Sequence, residues 1–204
     1  NTINVSKTYI EIETGILKGD FEYYNLISII EDVTSSVKSY AKLKSIDIHF
    51  DTNCEEFISK CDSSMIERAV LNLLSNAIKF TKENGNIVVN LYKDEQWVHI
   101  IVKDDGIGIP IGIQGMIFER FVQGDKSLTR LNEGSGIGLY LVKCLVEAHG
   151  GKIWLNTEVE SGVEFIFYLP IKTIDNEDDI KIYSIEEHSI MDKCNIEFSD
   201  VYSI

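Results

Sequence analysis

No run of apolar residues in this chain approaches the ~18–20 that a membrane span needs. The first residues, NTINVSKTYIE, are polar and lack the apolar stretch of a secretory signal. They also lack an initiating Met, so a piece of a longer protein is expected. Positive charge is scarce: 19 Lys and Arg stand against 33 Asp and Glu, a formal net charge of −14. That balance argues against general nucleic-acid binding, which needs a basic stripe to displace phosphate counterions. It bears on solubility more than on recognition, and leaves room for a local basic or metal-assisted anion pocket. The four cysteines (Cys54, Cys61, Cys144, Cys194) include no CxxC pair and no His at ligand spacing. Reduced thiols in a cytoplasmic protein are therefore expected, and a zinc site is not. No GxxxxGK[ST] occurs, which excludes a P-loop.

What is present begins with bulk: 204 residues, 44% of them apolar, enough for one large domain or one domain with appendages. The strongest local pattern is 64–81, SMIERAVLNLLSNAIKFT. At 3.6 residues per turn, Ile66, Val70, Leu71, Leu73, Leu74, Ala77 and Ile78 fall on one broad arc. Arg68, Asn72, Ser75, Asn76 and Lys79 share the opposite side. Ser64 followed three residues later by Glu67 reads as a capping box, accounting for a Glu on the apolar side of the first turn. Asn is a mediocre helix former, yet two stand four apart, with Lys79 in the same row. Amide oxygens suit a hard cation such as Mg²⁺, and an ammonium suits phosphate. Taken alone, this is more simply a solvated face.

Two further stretches change that balance. In VKDDGIGIP, 102–110, an Asp at a strand end is followed by glycines that let backbone pass close to a flat ligand. An ionised Asp104 only accepts hydrogen bonds, so it would take an exocyclic amine. In GSGIGL, 134–139, closely spaced glycines lead directly into a helix. Their N–H groups and the helix dipole make a phosphate cradle. The G-x-G-x-G spacing and the polar residues before it do not fit a dinucleotide fingerprint.

Around these stretches the expected elements are strand 21–25, helix 26–43, strand 46–51 and a short partner strand 56–61. After the helix at 64–81 come a turn at Asn84, Gly85 and Asn86 and a hairpin of strands 86–93 and 97–104. A loop, 106–135, holds a helical turn at 117–123. Helix 136–149 stops at Gly150 and Gly151, and strands 152–156 and 163–169 form a last hairpin. Residues 173–194 read as an acidic tail, and 195–203 as an extra strand. Antiparallel strands with helices on one face predict an α+β two-layer sandwich around a mixed, mostly antiparallel sheet.

The three stretches stand in this order about 30 residues apart, a far more specific statement than any one of them. Together they resemble the ATP-binding catalytic domain of bacterial sensor histidine kinases, whose superfamily also holds gyrase, MutL and Hsp-type chaperones. ERAVLNLLSNAIKFT is similar to the N box, DDGIGIP to the first glycine box, IFERF to the F box, GSGIGL to the second glycine box, and ESGVEF to the third. The resemblance covers about 21–170 of the chain.

That resemblance implies roles. Asn72 would hold Mg²⁺ through its amide oxygen. Asn76 and Lys79 would face the phosphates, and Phe80 the nucleoside. Asp104 would select adenine, with Gly106, Ile107, Gly108 and Ile109 against the base. Phe118 and Phe121 would anchor a lid. Gly134, Ser135, Gly136, Ile137, Gly138 and Leu139 would wrap the phosphates. Two positions depart from the pattern: Val122 and Gln123 follow the F box where an aromatic and an Arg are usual, and Val163 replaces a Thr. Arg120, Lys126 and Arg130 are all candidates for the missing charge. Arg68, four residues before Asn72, replaces the Glu that activates water in the superfamily's ATPases, so slow hydrolysis is expected. None of His49, His99, His149 and His188 sits in a phosphoacceptor motif.

The expected division is 1–18 as the end of a dimerisation hairpin, 19–172 as the ATP-binding domain and 173–204 as tail. The expected function is γ-phosphoryl transfer from Mg·ATP to a His on a hairpin outside this chain, feeding a response-regulator Asp. The chain alone would be a cytoplasmic monomer that does not label itself, with any membrane anchor elsewhere. An anti-sigma-factor serine kinase of the same fold and a degenerate nucleotide- or partner-binding module remain alternatives.

Overall fold

The computed structural model describes residues 18–122, 136–159, 161–172, 182–183 and 187–198. All but Lys18 of the expected hairpin end over 1–18, the lid positions Gln123, Lys126 and Arg130, and the candidate ligands Gly134 and Ser135 lie outside the described residues. In chain order the elements are β1 (Glu22–Asn25), α1 (Leu26–Lys42), β2 (Asp47–Thr52), β3 (Ile58–Cys61) and α2 (Ser63–Phe80). They continue with β4 (Asn86–Lys93), β5 (Trp97–Asp104), α3 (Ile111–Gln114), α4 (Gly138–Ala148), β6 (Lys152–Asn156), β7 (Val163–Pro170), β8 (Ile182–Tyr183) and α5 (Glu187–Glu197).

Strict alternation along β4, β5 and β7 sends Val89, Leu91, Ile100, Val102, Phe165 and Phe167 to one face of a five-stranded sheet, where all are buried. The strand order is β2-β4-β5-β7-β6, antiparallel except for the parallel β2–β4 pair. α1, α2 and α4 cover that face, with α2 packed between the other two. The result is the expected two-layer α+β sandwich. One pairing differs from expectation. β3 does not partner β2; it pairs antiparallel with β1 in a separate sheet of order β3-β1-β8. β2 spends its hydrogen bonds on β4, which α2 returns to its side as a parallel crossover.

Local chemistry sets the helix ends. Asn25 caps α1 by accepting the Ile27 N–H at 3.1 Å. α2 is capped by Asp62, which accepts the Met65 N–H at 3.0 Å; the expected Ser64–Glu67 capping box does not form. Glu67 instead lies 3% exposed against Lys193 of α5, which also reaches Ser64 Oγ at 3.4 Å. At the other end of α2, Lys44 Nζ donates to the carbonyls of Ile78, Thr81 and Lys79 at 2.7, 2.8 and 3.2 Å. A cation there satisfies orphan carbonyls and the helix dipole together.

The C-terminal residues correct the sequence reading most. A helix stands at Glu187–Glu197 where a tail running into a strand was expected. Ile190, Cys194 and Phe198, four apart, form one buried stripe. Phe198 stacks on Tyr40 with ring centroids 4.4 Å apart, and Tyr40 Oη donates to Asn195 Oδ1 at 2.6 Å. The stripe is short and set among charged residues, and one of its three members is a Cys, so apolar periodicity alone passes over it.

Breaking the Lys193–Glu67 pair from one side strands a buried carboxylate. Lys193→Met is expected to destabilise the protein by about 3 kcal/mol in urea unfolding, while the double variant Lys193→Met/Glu67→Gln recovers most of that loss. Equal midpoints for the single and double variants would show that the pair carries no coupling.

Candidate functional site

The polar row on α2 is half hidden, which gives each member a defined environment. Asn72 is 8% exposed. Its Nδ2 donates to the Arg68 carbonyl at 2.9 Å, and this turns Oδ1 away from its own helix. A Cβ placed on Gly138 would stand 2.9 Å from that Oδ1. The missing side chain at the start of α4 therefore leaves the Asn72 amide oxygen its place between the two helices; a Cβ there would push it aside. Asn76, Lys79 and Phe80 follow along the row, each half-buried. The Lys79 ammonium lies over the Phe80 ring at 5.6 Å. From Asn72 to Phe80 the row extends about 12 Å along the helix axis.

Asp104 and the first glycine turn close the far end of that row. The Ile107 N–H donates to the Phe80 carbonyl at 3.2 Å, joining the turn to the end of α2. A Cβ on Gly106 would stand 2.5 Å from that same carbonyl oxygen and 2.8 Å from Asp104 Oδ1. Gly162, at φ +76, fits so closely under β5 that a Cβ there would overlap the Asp104 carbonyl oxygen at 1.9 Å. Gly108, also at positive φ, faces the Gly162 carbonyl. The first and third glycine turns thus pack backbone to backbone. Ile109 is packed against the core, whereas Ile107 is exposed.

Asp104 is 5% exposed. Burial pushes its carboxyl up to about 6, against the pull of the Gly106 and Val163 N–H groups that donate to it. Its neighbour Asp105 turns the other way and accepts the Asn86 N–H at 3.0 Å, a structural task at the head of β4. Beside Phe80, the Thr81 hydroxyl is buried with no hydrogen-bond partner among the described residues.

The segment between the glycine turns holds two corrections. Its helical turn falls at Ile111–Gln114, ahead of the expected 117–123. Pro110 presets the backbone for a helix start there, and Phe121 at φ +59 breaks any helix further on. Of the two expected anchors, Phe118 packs edge-on to Phe165 with centroids 6.0 Å apart. Phe121 is 65% exposed and holds the segment through its backbone, its N–H donating to the Gly136 carbonyl at 3.0 Å. Gly136 at φ +68 permits that approach. Arg120 donates to Tyr140 Oη at 2.8 Å with its guanidinium 4.7 Å from the ring centre, so it braces the segment on α4. Ile137 caps α4 without a side-chain bond, and Leu139 packs on the core.

The structure therefore brings Asn72 against Gly138, and Phe80 against Gly106 and Asp104, along α2, while Gly136 contacts the Phe121 segment next to the start of α4. Sequence reasoning missed the Lys44 grip, the Glu67–Lys193 pair and the Asp62 cap. Lys44 and Lys193 are separated from their partners by 34 and 126 residues, and no local spacing signals either.

Comparisons with known proteins agree with this fold. The family model described as "Histidine kinase-, DNA gyrase B-, and HSP90-like ATPase" matches residues 61–173. Hybrid signal transduction histidine kinase D of Dictyostelium discoideum is 32% identical over 176 residues, 84% of this chain and 11% of that protein. The chain spans only 11% to 26% of the length of the first curated relatives it matches. Among solved structures, the nucleotide-free catalytic domain of histidine kinase ThkA aligns with a TM-score of 0.67 at 30% identity, covering 76% of this chain and 99% of that one. Full-length ShkA in complex with AMPPNP aligns at 0.74 and 25% identity, covering 84% of this chain and 35% of that one. A second ThkA structure, in complex with response regulator protein TrrA, aligns at 0.65 and 27% identity, covering 83% and 48%.

Gly138→Ala separates folding from site geometry. Ala is the better helix former, so the melting temperature is expected to hold or rise slightly. The added methyl displaces the Asn72 amide, and the Asn72 side-chain NMR signals should shift while those of the sheet do not. An unmoved Asn72 amide would contradict the contact described.

Proposed function

The chain belongs to the histidine kinase-, DNA gyrase B- and HSP90-like ATPase family and has the fold of a histidine kinase catalytic domain, and from this premise we propose that it binds Mg·ATP and passes the γ-phosphoryl group to a histidine of a separate helical hairpin. The observation that carries the reading is the run of contacts along α2, with a buried carboxylate at one end and a glycine-made helix start at the other. Its two ends differ in chemistry as the two ends of a nucleotide do. Ionised Asp104 accepts from the adenine amine, while the unpartnered Thr81 hydroxyl keeps further hydrogen-bonding capacity at the same end. The N–H groups at Gly136–Gly138 and the dipole of α4 receive the phosphates, with Lys79 and Asn76 beside them. Gly134 and Ser135 belong to the same cradle in this reading.

The donor set fits Mg²⁺: Asn72 would offer a neutral oxygen, its amide held by the bond to the Arg68 carbonyl, beside phosphate oxygens and water. When bound, the ion would supply positive charge against the phosphate oxygens. The residues themselves orient the nucleotide and exclude water. In the transfer, a lone pair on the acceptor imidazole forms the new N–P bond, the bond to the bridging β–γ oxygen breaks, and ADP leaves with that electron pair.

Transfer is favoured over hydrolysis because α2 offers no base to water. Arg68 stands where one would be needed, and Glu67 is committed to Lys193 on another face. Residues 1–18 as the end of a dimerisation hairpin, 19–172 as the catalytic domain, and a response regulator as final recipient complete the proposal. The complex of ThkA with TrrA supports the last point by analogy.

The test is to mix this chain with a separately made hairpin domain and follow label from γ-labelled ATP. Acid-labile phosphate should appear on the hairpin, none on this chain, with little free phosphate. Acid-stable label, self-labelling, or turnover at chaperone-like rates would overturn the reading. A second outcome follows from Asp104. Its raised value means that acid removes the acceptor, so adenosine affinity should fall as pH drops through about 6. The same protonation relieves a buried charge and, taken alone, stabilises the unliganded fold over that range. Asp104→Asn should bind adenosine weakly and show neither trend.

A further inference from the structure

We infer that His149 is a positioning residue that sets the register between the helix carrying Asn72 and the helix whose start faces it, and so places the phosphate end of the site. The inference rests on the nucleotide reading above.

α2 and α4 run antiparallel and meet at two levels. At one, Asn72 Oδ1 faces Gly138. At the other, His149 at the end of α4 meets Asp62 at the start of α2. Ten residues separate Asp62 from Asn72 and eleven separate Gly138 from His149, about 15 and 16 Å of helix, so the two contacts are matched in spacing. His149 is 2% exposed, and both ring nitrogens are used. Nδ1 lies 2.8 Å from the Leu145 carbonyl and must donate to it. Nε2 accepts the Asp62 N–H at 3.1 Å. One neutral tautomer satisfies both bonds; the imidazolium would turn an N–H against the Asp62 N–H.

Asp62 has no slack to absorb such a change. Its carboxylate accepts the Met65 N–H at 3.0 Å and the Asp20 N–H at 2.8 Å, and its carbonyl accepts the Ile66 N–H at 3.1 Å. The other groups facing the ring are Phe21, with centroids 5.0 Å apart, and Lys172, whose ammonium lies 5.0 Å over the Phe21 ring. The Cys61 thiol beside Asp62 is pushed up by burial to about 12 and is uncharged. Burial likewise lowers His149 below the ordinary histidine value, with Lys172 adding to that and the Leu145 carbonyl and Asp62 opposing it. The neutral ring's contribution is thus complete above the ordinary histidine range and is lost as pH falls from there through the depressed value.

The test compares Mg·AMPPNP with adenosine by calorimetry in the wild type, His149→Gln and His149→Ala. Asp104 acts on the base that both ligands share, so the ratio of the two affinities isolates the phosphate end. His149→Ala should weaken Mg·AMPPNP roughly 10- to 100-fold, the usual size of an effect acting through a neighbouring group, and leave adenosine unchanged. His149→Gln keeps one N–H donor and one carbonyl acceptor, so it should restore the ratio near neutral pH. It should also flatten the extra fall in the ratio that the wild type shows on acidification. Equal losses for both ligands, or one acid profile shared by wild type and His149→Gln, would overturn the inference. If the Ala variant fails to fold, the Gln profile decides alone. A wild type that binds neither ligand removes the nucleotide reading itself, and the inference with it.

Discussion

Most side chains of α2 are buried, because the sheet, α1, α4 and α5 close around it, and only its polar row keeps part of its surface in water. A polar group in such a place costs more than most single contacts return unless it is given a partner. The helix carries several, and the described structure is largely the set of answers: the Asp62 carboxylate at the start, Glu67 with Lys193, Asn72 with the Arg68 carbonyl, and Lys44 at the end. The Asn72 oxygen has a different answer. It is turned toward a helix start from which a side chain is missing. The same burial that would penalise an idle amide makes a placed one stiff, which suits a group meant to orient a ligand.

Much of this was legible in the amino-acid sequence, for reasons that differ by element. The hairpin β4–β5 was found at its bounds because alternation and turn residues are local signals. α2 and the Gly136–Gly138 start of α4 were legible because amphipathic spacing and glycine clustering are local too. β3 was found but given the wrong partner, since pairing depends on where α2 carries the chain. Its Glu67 was assigned to a cap because a Ser three residues earlier satisfies the pattern; the true partner lies 126 residues away. The resemblance implies an anchor at Phe121, and what ties that residue down here is its backbone N–H on the Gly136 carbonyl.

The three glycine turns show why the site reads better from sequence than the contacts supporting it. Gly106 and Gly162 are required where two backbones approach too closely for a Cβ, and Gly138 leaves the Asn72 amide its place. Such requirements leave a mark in the sequence itself. The bonds that hold α2 and α4 in register involve a His, an Asp and main-chain atoms, residue types with many other uses, and they leave none.

The docking of α5 also bears on how the chain is made. Glu67 is synthesised 126 residues before Lys193. At roughly 5–20 residues per second, the ribosome leaves the carboxylate without its ammonium for about 6 to 25 seconds. Through that interval the Glu67 carboxylate and the Tyr40 ring lack the cover that Lys193 and Phe198 give them, so both stay open to water. α5 thus completes the drying of the central helix's outer face after the five-stranded sheet and the other helices around it have already been made.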